Sequence, residues 1–227
     1  MTAVADAVAL RLRGLGVDLV FGIPGTHNLE LFRALTAAGI RIVDAHHEQG
    51  LGYAADGWSR VTGRPAVIVV TTGPGVTNAL TALATSAAAS VPVLAIAPGA
   101  PDAVNGRGTG WLHDLPDQWA TVGSVVRAER ARSAAEAVDF IDRVASSWRT
   151  ARRLPAYLEI PVDVLDDPGT GSPAGEEPSI EGSAASEGAE IPAAGVVVAD
   201  AMQAALGSAV EALASASRIA IVVGRGG

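Results

Sequence analysis

The sequence predicts an α/β fold, a parallel sheet with helices on both faces, from three observations. Short β-branched apolar runs alternate with stretches of helical period through about the first 165 residues. Ala66 to Thr71 is apolar on both parities of a pleat until its last residue, as a strand buried on both faces should be. Glycine or proline marks most of the junctions between runs.

Residues 2 to 13 read as an amphipathic helix with Val4, Val8 and Leu12 on one face, ended by Gly14 and Gly16. Asp18 to Phe21 is a short strand, and Gly22-Ile23-Pro24-Gly25 a turn whose glycines permit close backbone approach. Leu29 to Ala38 is a helix closed by Gly39, followed by a strand over 41 to 45. A helix then opens at Glu48, with Leu51, Ala54, Ala55 and Trp58 spaced to form one apolar face. After Ala66 to Thr71, Gly73-Pro74-Gly75 turns the chain into a helix over 76 to 89, and Pro92 to Ala97 is another buried strand. A glycine-rich loop covers 98 to 115, and Ser124 to Glu129 reads as a strand. Ser133 and Glu136 form a capping box for a helix with Val138, Ile141 and Val144 inward, and Pro155 to Ile160 is the closing strand, ending at Pro161.

The domain boundaries follow from composition. Residues 1 to 166 form the α/β domain, and 167 to 194 form a linker whose Gly, Ser, Ala, Pro and Glu residues offer nothing to bury. Residues 195 to 227 begin a second α/β unit, a helix from Val196 to Ser215 and a strand from Arg218 into a glycine-rich turn. Net charge is −8, but residues 166 to 192 carry seven acids and no base. The rest is nearly neutral and offers no basic stripe to nucleic acid.

Other totals exclude whole chemistries. The chain has no cysteine, so disulfides, thiolate metal sites and a cysteine nucleophile are out. All sixteen basic residues are arginine, which removes the P-loop lysine and any lysine Schiff base. The N-terminus has no signal-peptide pattern. The uncharged window from Ala79 to Ala100 holds four Ser/Thr residues and breaks at Pro92, which suits a buried helix and strand better than a membrane span. A soluble, cytoplasmic protein is expected. His47-Glu48-Gln49-Gly50-Leu51 is not a zinc signature, since Leu51 replaces the second ligand, and no metal ligand is expected from this chain.

Chemistry concentrates around Glu48. It sits where a strand gives way to a helix, the edge of an α/β sheet where ligands bind. A carboxylate there also suits the helix dipole, so a purely stabilising role is the alternative. Upstream lies Phe21-Gly22-Ile23-Pro24-Gly25-Thr26-His27-Asn28, and downstream Thr71-Thr72-Gly73-Pro74-Gly75-Val76-Thr77-Asn78. In this order and spacing, residues 3 to 165 resemble the N-terminal, pyrimidine-binding domain of thiamine-diphosphate enzymes, in the acetolactate synthase and 2-oxo-acid decarboxylase family.

The resemblance implies that Glu48 is the carboxyl hydrogen-bonded to N1′ of the cofactor pyrimidine, shuttling the proton that produces the 4′-imino base. Burial beside Leu51 and Val70 would raise its pKa towards neutrality. It implies further that Pro24, Gly25, Thr72, Gly73, Pro74, Gly75 and Asn78 bind the cofactor. The activity implied is decarboxylation of a small 2-oxo acid, carboligation in which a second carbonyl compound is captured after CO₂ leaves, or both. Gly73-Pro74-Gly75 could equally be a tight connection, and Asn78 a polar surface residue. Thr26, His27, Asn28 and Gln118 are candidates for the substrate pocket, although Thr26 or Asn28 could instead cap a helix. Thr26 stands where the pyruvate decarboxylase branch has a catalytic aspartate. His113, in Leu112-His113-Asp114, is either a proton donor or a loop residue. The stretch Leu112-His113-Asp114-Leu115-Pro116-Asp117-Gln118 looks more like decarboxylases of longer 2-oxo acids.

The family's Gly-Asp-Gly motif, which holds diphosphate and Mg²⁺ in a C-terminal domain, does not occur in the sequence. The expectation is the N-terminal portion of a longer enzyme, inactive alone, working as a homo-oligomer or with a partner chain carrying the diphosphate site. The resemblance also allows FAD, to which no residue points. The alternatives are one subunit of a split decarboxylase, or a non-catalytic remnant or dimerisation module.

Overall fold

The computed structural model describes residues 3–165, together with five exposed helical positions, Gly207, Ser208, Glu211, Ala214 and Ser215. The expected linker and the strand from Arg218 lie outside the described residues, as does the rest of the helix expected over 196 to 215. The elements run α1 (Val4–Gly14), β1 (Leu19–Gly22), α2 (Leu29–Ala37), β2 (Arg41–Val43), α3 (Glu48–Thr62), β3 (Ala66–Val69) and α4 (Pro74–Ala89). They continue with β4 (Val93–Gly99), α5 (Gln118–Gly123), β5 (Arg127–Arg130), α6 (Ala134–Thr150), β6 (Ala156–Pro161) and α7 (Val162–Leu165).

The six strands form one parallel sheet in the order β2-β1-β3-β4-β6-β5. Alternate side chains of each strand enter opposite cores. Val20, Val67, Val69, Leu94, Ile96, Leu158 and Ile160 pack with α1, α2 and α6. Phe21, Ile68, Val70, Ala95, Ala97 and Tyr157 pack with α3, α4 and α5. Every residue of β3, β4 and β6 is buried, so both pleat faces need apolar side chains.

The chain steps from β1 outward to β2, then returns to place β3 on the other side of β1. That reversal is a topological switch point, and in open α/β sheets ligands bind at such a point, beyond the strands' carboxyl ends. The loops after β1, β2, β3 and β4 carry the residues singled out above.

Four local expectations change. The buried face of α3 is Leu51, Gly52, Ala55, Asp56 and Ser59, while Ala54 faces solvent. The stripe is rotated because Gly52 lies against Ala82 of α4, where a Cβ would stand 2.6 Å from the alanine methyl. Helix α4 begins at Pro74, making Gly73-Pro74-Gly75 its cap and first turn. Ser124 to Val126 is not strand: Asp117 Oδ1 accepts the Ala120 N–H (2.8 Å) and starts α5, which places Val122 and Val126 at helical spacing in the core. β5 therefore starts three residues later than expected. In α6 the inward residues are Ala137, Phe140, Ile141, Val144, Ala145 and Trp148, with Val138 half-buried. The Ser133 side chain does accept the Glu136 N–H, at 3.2 Å.

The window from Ala79 to Ala100 is the end of α4 followed by β4. Among the described residues, no helix is long and apolar enough to cross a membrane.

Candidate functional site

Glu48 is the first residue of α3, after an N-cap at His47 whose Nδ1 accepts the Gln49 N–H (3.1 Å). The carboxylate thus lies at the positive end of the helix without serving as its cap. It is half-buried, and Asn78 Nδ2 donates to Oε2 at 3.0 Å. Its other oxygen, Oε1, faces Gly75, where a Cβ would stand 3.5 Å away. Leu51 and Val70, expected beside it, are fully buried in the adjoining core. Asn78 is therefore half-exposed but bonded to Glu48, and orients its carboxylate.

Gly25 and Gly75 meet through one side chain. A Cβ on either would come within 2.9 Å of Thr71, so the β1 and β3 loops close on each other only because both positions lack one. Thr71 Oγ1 is buried at this junction and has no hydrogen-bond partner among the described residues. A buried orphan hydroxyl in a native fold calls for a specific reason.

Gly73 holds φ +61°, and a Cβ there would collide with the backbone oxygen of His113. His113 itself has φ +63°, in a turn closed by Asp114 N–H to Trp111 O (2.9 Å). The His113 backbone thus rests on Gly73. Its exposed ring lies edge-on to His27, with centroids 6.0 Å apart. His27 stacks on Trp111 at 4.3 Å and 17°, and its Nδ1 shares a hydrogen bond with the buried Thr72 hydroxyl at 2.7 Å. Burial, and then the neighbouring His113, lower the His27 pKa below its ordinary value. His27 is therefore a neutral imidazole at physiological pH, able to exchange a proton near His113.

Two expected pocket residues point elsewhere. Asn28 is fully buried, and its amide staples the turn before it: Oδ1 accepts Gly25 N–H (2.7 Å) and Nδ2 donates to Ile23 O (3.0 Å). It occupies the N-cap position of α2, yet its side chain caps nothing there. Gln118 is also buried. Its Oε1 accepts the Gly73 N–H (2.7 Å), and its Nε2 faces Pro98 O (2.9 Å), Tyr157 Oη (2.8 Å) and Glu159 Oε2 (3.0 Å). Glu159 pairs in turn with Arg130. Burial raises the Glu159 carboxyl above its usual range, against the lowering effect of Arg130, and burial raises Tyr157 as well. Thr26 and Pro24 are exposed at the rim.

The structure thus joins Glu48, Asn78, Gly75, Thr71 and Gly25 on one side of the glycine-proline-glycine turn. Gly73, His113, His27, Thr72 and Trp111 meet on the other. Thr71, Trp111 and the Tyr157–Glu159–Arg130 group were missed in the sequence. Only Glu159 left a signal, a lone charge inside an apolar strand. A cavity of about 390 Å³ opens at the amino ends of the strands, between Trp58 and Trp148, on the edge opposite Glu48. Arg64 and Asp18 in its wall bond each other (3.0 Å). Among the described residues, no group of three or more His, Asp or Glu side chains is placed to hold a metal.

Comparison with known proteins bears on this geometry. The family described as "Thiamine pyrophosphate enzyme, N-terminal TPP binding domain" matches residues 2–121. A probable 2-ketoarginine decarboxylase of Pseudomonas aeruginosa is 43% identical over 164 residues, covering 72% of this chain and 29% of the relative. The acetolactate synthase large subunit IlvG of Mycobacterium tuberculosis is 34% identical over 157 residues, 69% of this chain and 28% of the relative. The 2-hydroxyacyl-CoA lyase 2 of Danio rerio is 34% identical over 161 residues, 70% of this chain and 25% of the relative. The chain therefore spans less than a third of the length of each of these relatives.

Proposed function

Because this chain belongs to the thiamine pyrophosphate enzymes, whose N-terminal TPP binding domain it carries, we propose that it serves decarboxylation or carboligation of a 2-oxo acid, with Glu48 as the cofactor-activating carboxyl. The observation that carries this reading is the Glu48 carboxylate at the head of α3. One of its oxygens is fixed by Asn78 and the other is turned to Gly75.

The residues present fit the cofactor's pyrimidine. Thr71 lies between Gly25 and Gly75, its methyl towards Gly75 and its orphan hydroxyl on the Gly25 side, and a ring bearing polar atoms would satisfy such a group. When bound, thiamine diphosphate supplies a carbon nucleophile and an electron sink for the carboxyl group that leaves. Glu48 would hold the ring edge and exchange a proton at Oε1, with Asn78 keeping Oε2 an acceptor and so setting the direction of that exchange. The neutral His27 and the adjacent His113 stand on the substrate side of the turn, able to take or return a proton there.

The identity of 43% with a protein named as a 2-ketoarginine decarboxylase favours decarboxylation of a longer 2-oxo acid over carboligation. Diphosphate and Mg²⁺ would be held by a C-terminal domain, on the same polypeptide, a second copy or a partner chain.

The test is turnover of a panel of 2-oxo acids by the polypeptide at its native length, with thiamine diphosphate and Mg²⁺ supplied. Glu48→Gln should lose at least about 100-fold in kcat, the lower end of the usual general acid–base contribution. Turnover close to that of the unaltered protein would refute the assignment.

A further inference from the structure

We propose that Gln118 is a positioning residue whose amide, held in one orientation by Tyr157 and Glu159, sets the Gly73-Pro74-Gly75 turn between Glu48 and the His113 turn.

Donors and acceptors around the amide fix its orientation. Nε2 faces three acceptors, the Pro98 carbonyl, the Tyr157 hydroxyl and the Glu159 carboxylate, while Oε1 faces one donor, the Gly73 N–H. A flipped amide would set oxygen against Pro98 O and Glu159 Oε2, and N–H against N–H. The orientation is thereby locked, and all of these groups are buried. Gly73 is in turn the residue on which the His113 backbone rests, and Gly75, two residues on, faces Glu48 Oε1. One hydrogen bond thus registers both halves of the site.

Glu159 extends the brace to the far end of the same loop. Its Oε1 binds Arg130, and Arg130 donates to Ala100 O (2.6 Å) and to Asp102 (2.8 Å), where the loop leaves β4. Gln118 lies where that loop re-enters the fold. The loop carrying Trp111 and His113 is therefore tied at both stems to one buried carboxylate. The consequence for cofactor binding rests on the thiamine reading above, whereas the brace itself does not.

Amide hydrogen exchange and cofactor titration together test this in the native-length polypeptide. In the unaltered protein the Gly73 N–H should exchange as slowly as the amides of β4, although it lies outside every helix and strand ladder. Exchange at the rate of the exposed loop amides would overturn the proposal without any variant. Gln118→Glu keeps the shape and the acceptor for Gly73, but its second oxygen can face Pro98 O and Glu159 only when protonated. Gly73 exchange in this variant should accelerate at least about tenfold between pH 5.5 and 8, beyond the intrinsic pH effect seen in the unaltered protein. Thiamine diphosphate affinity should weaken about tenfold over the same range. A volume-filling role for Gln118 predicts no pH dependence, and a pH-independent change would sink the inference. If the unaltered protein fails to bind thiamine diphosphate, the proposed function fails, while Gly73 exchange still decides whether the brace exists.

Discussion

Asn78 Nδ2 donates to Glu48 Oε2 over 3.0 Å, tying the second turn of α4 to the first residue of α3. A hydrogen bond to a charged group contributes about 1.5–3 kcal/mol net. Asn78→Ala should therefore lower kcat/KM in the native-length polypeptide by roughly ten- to hundredfold, since 1.4 kcal/mol is tenfold. Both side chains are half-exposed, so the urea midpoint should barely move. Asn78→Asp should be worse for turnover, because it sets a second carboxylate against Glu48. Equal activity of Asn78→Ala and the unaltered protein would show that Glu48 needs no orienting partner.

The contact between α3 and α4 depends on a missing side chain. A Cβ at Gly52 would come within 2.6 Å of Ala82 Cβ, inside a helix pair that also buries Asp56 against Ser86 (2.7 Å). Gly52→Ala gains helix propensity of about 0.8–1 kcal/mol but overpacks the seam by typically 1–3 kcal/mol. Net destabilisation is expected. The Glu48–Asn78 bond spans the same two helices and should lengthen with them. Ala82→Gly in the same chain should restore much of the loss, as read by chemical denaturation. A stabilised Gly52→Ala would mean that the helices separate freely.

Acid should weaken the fold partly through His27. Its pKa is lowered by burial and by His113, so between the ordinary value of 6.5 and its lower folded value the unfolded chain binds more protons than the folded one. Stability is full above about pH 6.5 and falls as pH drops towards the folded pKa, below which the loss levels off. His27→Gln removes this step and should flatten the curve of stability against pH in that window. An unchanged slope would place the proton elsewhere.

The sheet was legible because burial on both faces leaves continuous apolar runs, as at Val67 to Val70, and because glycine punctuates the strand ends. Motif spacing singled out Glu48, Gly73 and Asn78, and the fold sets the Glu48–Asn78 hydrogen bond beside the turn that begins at Gly73. Asn28 and Gln118 are polar residues in functional-looking positions, but Asn28 turns back on Ile23 and Gly25 of its own turn, while Gln118 is claimed by tertiary partners, the Gly73 N–H and groups of β4 and β6. Helix α5 hid because no strong period marks Gln118 to Gly123 and the β-branched pair Val125-Val126 just after it read as strand, with the Asp117 cap the one local sign of a helix.

The Arg130–Glu159 pair separates the two ways a buried ion pair can be broken. Both side chains are nearly inaccessible, at 7% and 1% exposure, so neither charge can turn to water when its partner is removed. Arg130→Met should cost about 3–5 kcal/mol near neutral pH, since it leaves the carboxylate buried without its counter-charge. Burial already raises the Glu159 pKa, and loss of the arginine, whose charge lowers it, raises it further. With the folded pKa above the unfolded one, the folded state binds more protons in that window. The variant's stability is then greatest below the unfolded pKa and is lost as pH rises through the folded pKa. Adding Glu159→Gln removes the charge but keeps an acceptor for Gln118 and Tyr157. Arg130→Met/Glu159→Gln should therefore regain most of the loss and show no such slope. Urea titrations of the two variants at pH 5 and pH 8 would check this, and additive losses in the double variant would mean that the two residues act independently.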